Sequence, residues 1–394
     1  MTLRKLSDMT NNAQILPFRI EIPQTDLDDL QARLERVRWP TEQPGGWTYG
    51  PTQQLVRELV DHWLLKYNWR AHEARLNEYP QFTSTIDGTT VHFLHVRSPE
   101  PEAQPLLLIH GWPGSFAEYL DVIGPLTDPR RYGGDPALAF DLVIPSIPGF
   151  AFSGPTPDTG WHSGRIAGAF AELMKRLGYE RYGVAGNDAG AIIAPEVGRV
   201  APEQVIGVHV TQVFSFPSGD PAEFAGLEAE DYRRLGEMER FANEHSAFNK
   251  IQSTRPNALA YGLTDSPVGQ LAWNLDLLRG FGEQAPEVQA SLSFDWILTN
   301  VMIYWVTGTA GSSARIYYED THRGQEDRPP TTVPMGVAVF AGDFQSIRKF
   351  AERDHHNLVH WSEFDRGGHF AGTDAPDLLL DDIRQFFATE RKNS

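Results

Sequence analysis

The feature that most constrains the fold is an alternation of short apolar runs with helical stretches in the middle of the chain. Apolar runs of strand length occupy residues 106–109, 142–144 and 182–185, and each is followed by a segment whose apolar residues have helical spacing. Strands and helices that alternate in this way form a parallel sheet covered by helices on both faces. We therefore predict an α/β domain with a mostly parallel sheet.

The regions that flank this alternation have a different pattern. Residues 15–80 carry short amphipathic helices that cannot bury their apolar faces alone, and residues 218–320 are helical and aromatic before strand patterns return. We predict that residues 1–81 form an N-terminal helical segment that wraps around the core, and that residues 218–320 form a helical cap or lid. The two parts of the α/β core are then residues 82–217 and residues 321–394.

Charge and composition exclude several partners and chemistries. The chain has 394 residues and a net charge of −18, which repels phosphate backbones and anionic lipid, so we expect neither nucleic acid nor a membrane as a partner. It has no Cys, which excludes disulfides, Cys-ligated metals and thiol nucleophiles. No apolar run is long enough to span a membrane, and residues 1–14 lack an apolar signal core. We expect a soluble, cytoplasmic protein.

The strongest local motif is Gly186-Asn187-Asp188-Ala189-Gly190, which lies between a strand pattern and a helix pattern. Its spacing is that of a nucleophile elbow, in which small flanking residues permit a sharp, strained turn that exposes the central side chain. The same residues could form an ordinary loop, but the strand before them and the helix after them favour the elbow. Asp188 is therefore the candidate nucleophile.

An Asp at the centre of the elbow restricts the reaction. A carboxylate with an ordinary pKa of about 3.9 is ionised at neutral pH and needs no base for its own attack. When Asp attacks a saturated carbon the product is an ester, which a His-activated water can hydrolyse. Ser would instead give an ether, which water does not readily cleave. The motif thus predicts displacement at an sp3 carbon, in either an epoxide or a carbon–halogen bond.

Hydrolysis of such an ester needs a histidine held by an acid, and both should follow the nucleophile in the chain. His369 lies in the glycine-rich segment 366–370 after a strand pattern and is the candidate general base. Asp343 follows a buried strand pattern, where catalytic residues of open α/β sheets are found, and is the candidate charge-relay acid. Glu352 and Asp354 are rival acids.

The ester intermediate also needs an oxyanion hole. The sequence His-Gly-Trp-Pro-Gly at residues 110–114 follows the first buried strand pattern, where hydrolases of this topology place a backbone donor loop. These residues could also be a plain strand-to-helix turn. The candidate donors are the backbone amides of Trp112 and Ala189.

Taken together, these motifs resemble the microsomal-type epoxide hydrolases of the α/β-hydrolase superfamily over nearly the whole chain. The segments that carry the resemblance are residues 110–114, 148–153, 186–190, 262–269, 312–317 and 366–370. The resemblance implies an epoxide hydrolase that makes a vicinal diol through an Asp ester, without cofactor or metal. It also implies a small-molecule epoxide from detoxification or secondary metabolism, and a homodimer through the N-terminal segment.

In this family two cap tyrosines hold and protonate the epoxide oxygen. Tyr317 matches one of them, but the position of the other is Phe248, which cannot donate a hydrogen bond. Either Tyr317 acts alone or another hydroxyl replaces the missing one. The candidate replacements are Tyr261, Tyr232 and Tyr304. Phe248, Tyr261 and Trp273 are predicted to contact the substrate.

Two other functions fit part of the pattern. A haloalkane or haloacid dehalogenase on the same fold would use the same nucleophile, but it needs halide donors such as a Trp directly after it, where this chain has Ala189. A catalytically silent ligand-binding homologue would usually lack the nucleophile, the acid or the histidine. All three are present here, and Phe248 is the one observation in its favour.

Overall fold

The computed structural model describes residues 14–42, 44–278, 292–324 and 329–393. Residues 1–13, which include most of the segment predicted to lack a signal sequence, lie outside the described residues. The described strands form one sheet in the order β1-β2-β3-β5-β4-β6-β7-β8-β9. They are β1 (Ile15–Phe18), β2 (Gln81–Ile86), β3 (Thr89–Val96), β4 (Gln104–Ile109), β5 (Phe140–Pro145), β6 (Tyr182–Gly186), β7 (Val205–Val210), β8 (Met335–Gly342) and β9 (Leu358–Gly368).

The direction of the strands divides the sheet in two. Strands β1, β2 and β3 are antiparallel to one another, and β3 is antiparallel to β5. The six strands β5, β4, β6, β7, β8 and β9, given in sheet order, are parallel to one another. Parallel strands require crossover connections, and helices supply them, so the carboxyl ends of these strands meet at one edge. The predicted α/β class with a mostly parallel sheet is confirmed.

Helices cover the sheet and connect its strands. They are α4 (Leu120–Thr127), α5 (Ser163–Arg176), α6 (Ala189–Val200), α13 (Arg348–Asp354), α14 (Ala371–Asp374) and α15 (Pro376–Asn393), numbered in chain order with those described below. In α5 the apolar residues Ile166, Phe170 and Leu173 recur at helical spacing and are fully buried. A helix with one apolar face of this kind is stabilised mainly by packing that face against the sheet.

The N-terminal region contains α1 (Gln24–Leu34), α2 (Gln53–Leu65) and α3 (Trp69–Leu76). Thr52 caps α2 by accepting a hydrogen bond from the amide of Leu55, and Leu59 and Trp63 lie on its buried face. These helices contact helices from the region between β7 and β8. The amphipathic faces that the sequence left unpartnered are therefore buried against another part of the same chain.

Six described helices lie between β7 and β8 in the chain. They are α7 (Ala229–Arg240), α8 (Ala247–Thr254), α9 (Pro256–Asp265), α10 (Pro267–Leu278), α11 (Phe294–Thr307) and α12 (Ala310–His322). Helix α12 packs against α8 and α9, and a Cβ atom on Gly311 would lie 2.6 Å from Cβ of Ala260, so glycine permits this close helix contact. Within the described ranges no helix has both the length and the apolar character to cross a bilayer.

Candidate active site

Asp188 occupies the turn between β6 and α6 and has a strained backbone. Its φ of 53° and ψ of −116° are rare for a residue with a side chain. A Cβ atom on Gly186 would lie 2.2 Å from the carbonyl oxygen of Gly190, and one on Gly190 would lie 2.1 Å from the carbonyl oxygen of Ile109. The turn is therefore this sharp only because both flanking residues are glycines, as the elbow motif predicts.

The two carboxylate oxygens of Asp188 have different surroundings. Oδ1 accepts a hydrogen bond of 2.8 Å from the backbone amide of Trp112, and the amide of Ala189 also hydrogen-bonds the carboxylate. Oδ2 lies 3.6 Å from Nε2 of His369, and 16% of the Asp188 side chain is exposed. The two amides predicted as oxyanion-hole donors thus both contact this carboxylate, and Oδ2 is the oxygen that faces His369.

His369 is held by Asp343. Its Nδ1 lies 2.9 Å from Oδ1 of Asp343, which follows the carboxyl end of β8. The rival acids do not take part, because Glu352 accepts a hydrogen bond from Arg348 on the protein surface and Asp354 pairs with Arg353. The prediction of Asp343 as the partner of His369 agrees with this geometry, and the two alternatives were wrong.

The charges of this group shift the pKa values of its members. Burial disfavours the imidazolium form of His369, but Asp343 and Asp188 outweigh it and raise the pKa of His369 to about 9. Burial also raises the pKa of Asp188, although the charge of His369 and the two backbone amides oppose this effect. At neutral pH His369 is therefore protonated and lies between two carboxylates.

Gln212, just beyond the end of β7, connects three members of the site. Its Oε1 accepts a hydrogen bond of 2.8 Å from the backbone amide of Asp188. Its Nε2 contacts Oδ2 of Asp343 and lies 2.8 Å from Oδ1 of Asn187. Gln212 was not among the residues predicted from the sequence. The one sequence feature that could have indicated it is its position at the carboxyl end of a parallel strand.

Glu118 is a second residue that the sequence analysis missed. It is 1% exposed, and its Oε1 accepts a hydrogen bond of 3.1 Å from Nδ2 of Asn187, the residue before the nucleophile. Its Oε2 is buried without a hydrogen-bond partner. Burial raises the pKa of Glu118 to about 8, so its carboxyl group is mostly neutral at pH 7. The signal that was available is an acidic residue inside the apolar run that follows residues 110–114.

Aromatic side chains form the opposite wall of the site. Phe248 on α8 is stacked on Trp112 with ring centroids 6.1 Å apart, and Tyr317 on α12 meets both rings nearly edge-on. Among the described residues none hydrogen-bonds the Tyr317 hydroxyl. Burial raises the pKa of Tyr317 well above its ordinary value, and the charge of Asp188 raises it further. Tyr317 and Phe248 thus lie beside Trp112, whose amide contacts Asp188. Their contacts with substrate stay predictions.

The other predicted hydroxyl donors lie elsewhere. Tyr261 was predicted to contact substrate, but it is 81% exposed because α9 presents it to solvent, and Tyr232 is also exposed. The structure brings neither hydroxyl to Asp188. Tyr304 is buried, but its hydroxyl donates a hydrogen bond of 2.5 Å to the carbonyl oxygen of Gly114. Trp273 is half-buried and donates from Nε1 to Gln252, so its contact with substrate stays a prediction.

Two family models match this chain. The family model described as "Epoxide hydrolase N terminus" matches residues 15–119, and the model described as "alpha/beta hydrolase fold" matches residues 104–255. A relative from Stigmatella aurantiaca, whose name includes the words epoxide hydrolase, is 39% identical over 379 residues, which cover 95% of this chain and 84% of the relative. The chain belongs to the epoxide hydrolase family.

Two further comparisons support membership of this family. Epoxide hydrolase 1 of Sus scrofa is 31% identical over 400 residues, which cover 94% of this chain and 88% of that protein. The crystal structure of juvenile hormone epoxide hydrolase from the silkworm Bombyx mori superimposes with a TM-score of 0.87 at 26% identity, covering 98% of this chain and 97% of that one. The predicted α/β-hydrolase fold and the predicted enzyme class, an epoxide hydrolase, are confirmed.

In this epoxide hydrolase, helices α11 and α12 are hydrogen-bonded to the loop at residues 110–115, which contains Trp112. The indole Nε1 of Trp112 donates a hydrogen bond of 3.1 Å to Oγ of Ser313 on α12. Ser115 donates from Oγ to Oδ1 of Asn300 on α11 at 2.7 Å, and Tyr304 on the same helix holds Gly114. Helices α11 and α12 therefore position the residues that contact the Asp188 carboxylate.

Proposed function

We propose that this epoxide hydrolase makes a vicinal diol through a covalent ester on Asp188. The observation that carries the proposal is that the two oxygens of this carboxylate have different contacts. Oδ1 accepts a hydrogen bond from the amide of Trp112, and the amide of Ala189 also hydrogen-bonds the carboxylate, whereas Oδ2 faces His369. Oδ2 is therefore the attacking atom, and Oδ1 lies where negative charge develops when the ester is hydrolysed.

In the first step Oδ2 forms a bond to one carbon of the epoxide, and the bond from that carbon to the ring oxygen breaks. The released oxygen takes the proton of the Tyr317 hydroxyl, the one tyrosine hydroxyl in the described wall that has no protein partner. Ester formation removes the negative charge of Asp188, which helps to raise the pKa of Tyr317. Tyr317 therefore becomes a better acid as the oxygen needs a proton.

The same loss of charge changes His369. Asp188 is one of the carboxylates that raise its pKa, so His369 releases its proton more readily once the ester has formed. That proton restores the Tyr317 hydroxyl and leaves His369 neutral. Neutral His369, held through Nδ1 by Asp343, can then take a proton from water at Nε2.

Water adds to the ester carbon of Asp188 as His369 takes its proton. The oxyanion that forms is stabilised by the amides of Trp112 and Ala189. When the bond between this carbon and the substrate oxygen breaks, the leaving oxygen takes the remaining proton of the added water. The diol then leaves, the Asp188 carboxylate returns, and His369 is again protonated. Atoms and charge balance over the cycle, and no other reactant is required.

We also propose that residues 218–320 act as a cap over this site, between the two parts of the core at 82–217 and 321–394, and that residues 1–81 support it. The aromatic wall of Trp112, Phe248 and Tyr317 supports a substrate with an apolar substituent next to the epoxide. Dehalogenase chemistry receives no support, because the indole N–H of Trp112 is already donated to Ser313.

Trapping of the ester tests this proposal. In the His369→Gln variant, ester formation should continue while hydrolysis stops, so the intact mass should rise by one epoxide per chain and the adduct should map to Asp188. The His369→Gln/Asp188→Asn double variant is the matched control and should gain no mass. An adduct on another residue, or steady diol formation by His369→Gln, would contradict the proposed roles.

A further inference from the structure

Gln252 is a buried polar residue, one helical turn from Phe248, that the proposed reaction does not use. It lies on α8 and is fully buried. Its Oε1 accepts a hydrogen bond of 2.9 Å from Nε1 of Trp273. An indole N–H can only donate, so the atom that it contacts must be the amide oxygen, and this fixes the orientation of the Gln252 amide.

The other half of the amide has no partner. Nε2 of Gln252 carries two N–H donors and is buried without a hydrogen bond. Buried donors in native proteins are nearly always paired, and an apolar residue of similar size would fill the same space without this cost. The unpaired amide can therefore donate to an acceptor that is not part of the protein.

The position of Gln252 indicates what that acceptor is. Residues four apart lie on the same face of a helix, so Gln252 shares the buried face of α8 with Phe248. Phe248 is stacked on Trp112, whose amide holds the Asp188 carboxylate, and it also contacts Tyr317. The remaining face of α8 is largely exposed, including Lys250.

We propose that Nε2 of Gln252 donates a hydrogen bond to an oxygen atom of the bound epoxide substrate. The assignment rests on the proposed function, because it takes the substrate to bind between Asp188 and the aromatic wall. Two oxygens have the required chemistry: the epoxide oxygen itself and a second oxygen, such as an ether or ester oxygen, on the substituent. Phe248 cannot serve either one, since its ring has no hydrogen-bond donor.

Two substitutions separate this role from support of Trp273. Gln252→Glu keeps an oxygen that accepts the hydrogen bond of Trp273 but replaces the N–H donors with oxygen. Gln252→Met removes the donors without adding a charge. Loss of one hydrogen bond to substrate should lower kcat/KM about tenfold in both variants. Relative to wild type, the Glu variant should recover as pH falls, because a protonated carboxyl can donate again, and the Met variant should not.

The control is Gln270→Met. Gln270 is another buried glutamine, on the neighbouring helix α10, but its Nε2 is used by the protein, since it donates to the carbonyl oxygen of Val301 at 2.8 Å. Its unpaired atom is an acceptor. This variant should keep the wild-type kcat/KM, and thermal midpoints of all three variants check that they remain folded.

The substrates are phenyl glycidyl ether and 4-phenyl-1,2-epoxybutane, which differ only in an ether oxygen replaced by a methylene group. Loss of kcat on both would assign Gln252 to the epoxide oxygen. An increase of KM on the ether alone would assign it to a second oxygen. Values of kcat/KM within twofold of wild type on both substrates would overturn the proposal. Trapping of the Asp188 ester in the His369→Gln background tests the proposed function separately.

Discussion

The two walls of the active site satisfy their polar groups in different ways. On the core side, Asp188, His369 and Asp343 each have a protein partner, and Gln212 joins the first and the last of them. On the side of α8 and α12 the wall consists of aromatic rings, and the Tyr317 hydroxyl and the Gln252 amide nitrogen have no protein partner among the described residues. The core side therefore holds its charged groups in place before substrate arrives, whereas under the two proposals above α8 and α12 carry donors for the substrate.

Removal of the Tyr317 hydroxyl should have the largest effect on the rate of ester formation. Tyr317→Phe keeps the ring packing but removes the proton donor for the epoxide oxygen, so the rate of ester formation should fall by about 10² to 10³. The measurement is the rate of mass gain in the His369→Gln background. Tyr318→Phe, at a partly exposed neighbour on the same helix, is the control and should react at the unmodified rate. An equal loss in both variants would contradict the role of Tyr317.

Removal of the Gln212 amide, which contacts both Asp188 and Asp343, should lower the rate less than Tyr317→Phe does and should lower the stability more. Gln212→Leu leaves the Asp188 amide without an acceptor and Asp343 with fewer donors. We expect kcat to fall about tenfold and the free energy of unfolding to fall by about 1 to 3 kcal/mol. Steady-state kinetics and urea unfolding measure the two effects.

The control for Gln212 is Gln81→Leu. Gln81 is also buried, and it hydrogen-bonds Leu76 and His92 away from Asp188. It should lose stability by a similar amount and keep its kcat. If both variants lost kcat equally, the core network would be supporting the fold in general and not the reacting groups.

The smallest expected effect on rate is that of Glu118→Gln. Glutamine resembles the neutral carboxyl and can still accept from Asn187, so kcat at pH 7 should stay within about twofold. Stability should change with pH, however. The folded protein keeps the Glu118 proton up to a pKa of about 8, whereas the unfolded chain releases it near its ordinary value of 4.5.

The sign of this pH effect follows from the raised pKa. Between about pH 5 and pH 8 the folded state binds the extra proton, so rising pH favours unfolding by about 1.4 kcal/mol per pH unit from this group. Glu118→Gln should remove this contribution and flatten the fall of stability over that range. Urea unfolding at pH 5.5, 6.5 and 7.5 measures it, and an unchanged pH dependence would show that Glu118 is ionised in the folded protein.

The site residues that could be predicted from the sequence are those whose positions depend on residues next to them in the chain. Asp188 needs a turn that only two glycines permit, and Asp343 follows a strand whose carboxyl end reaches the site edge. Such signals lie within a few residues of the side chain concerned. For this reason Asp188, His369 and the loop at residues 110–114 could be selected as candidates from the sequence, and the mostly parallel sheet around them followed from the alternation.

The parts that the sequence did not predict depend on contacts between distant segments. Gln212 and Glu118 meet through Asn187, and nothing in the neighbouring sequence of either residue indicates that partner. Tyr261 was placed in the site although its helix presents it to solvent. The rotation of a short cap helix about its own axis is set by the helices packed against it, and the aromatic content of the segment does not reveal it.

The double attachment of Trp112 has a consequence for hydrolysis of the ester. The backbone amide of Trp112 donates a hydrogen bond to Oδ1 of Asp188, and its indole Nε1 donates one to Oγ of Ser313 on α12. We infer that a displacement of α12 would also disturb the amide of Trp112 that contacts Asp188. In the proposed mechanism, hydrolysis of the ester therefore depends on the position of α12 as well as on the residues of the core.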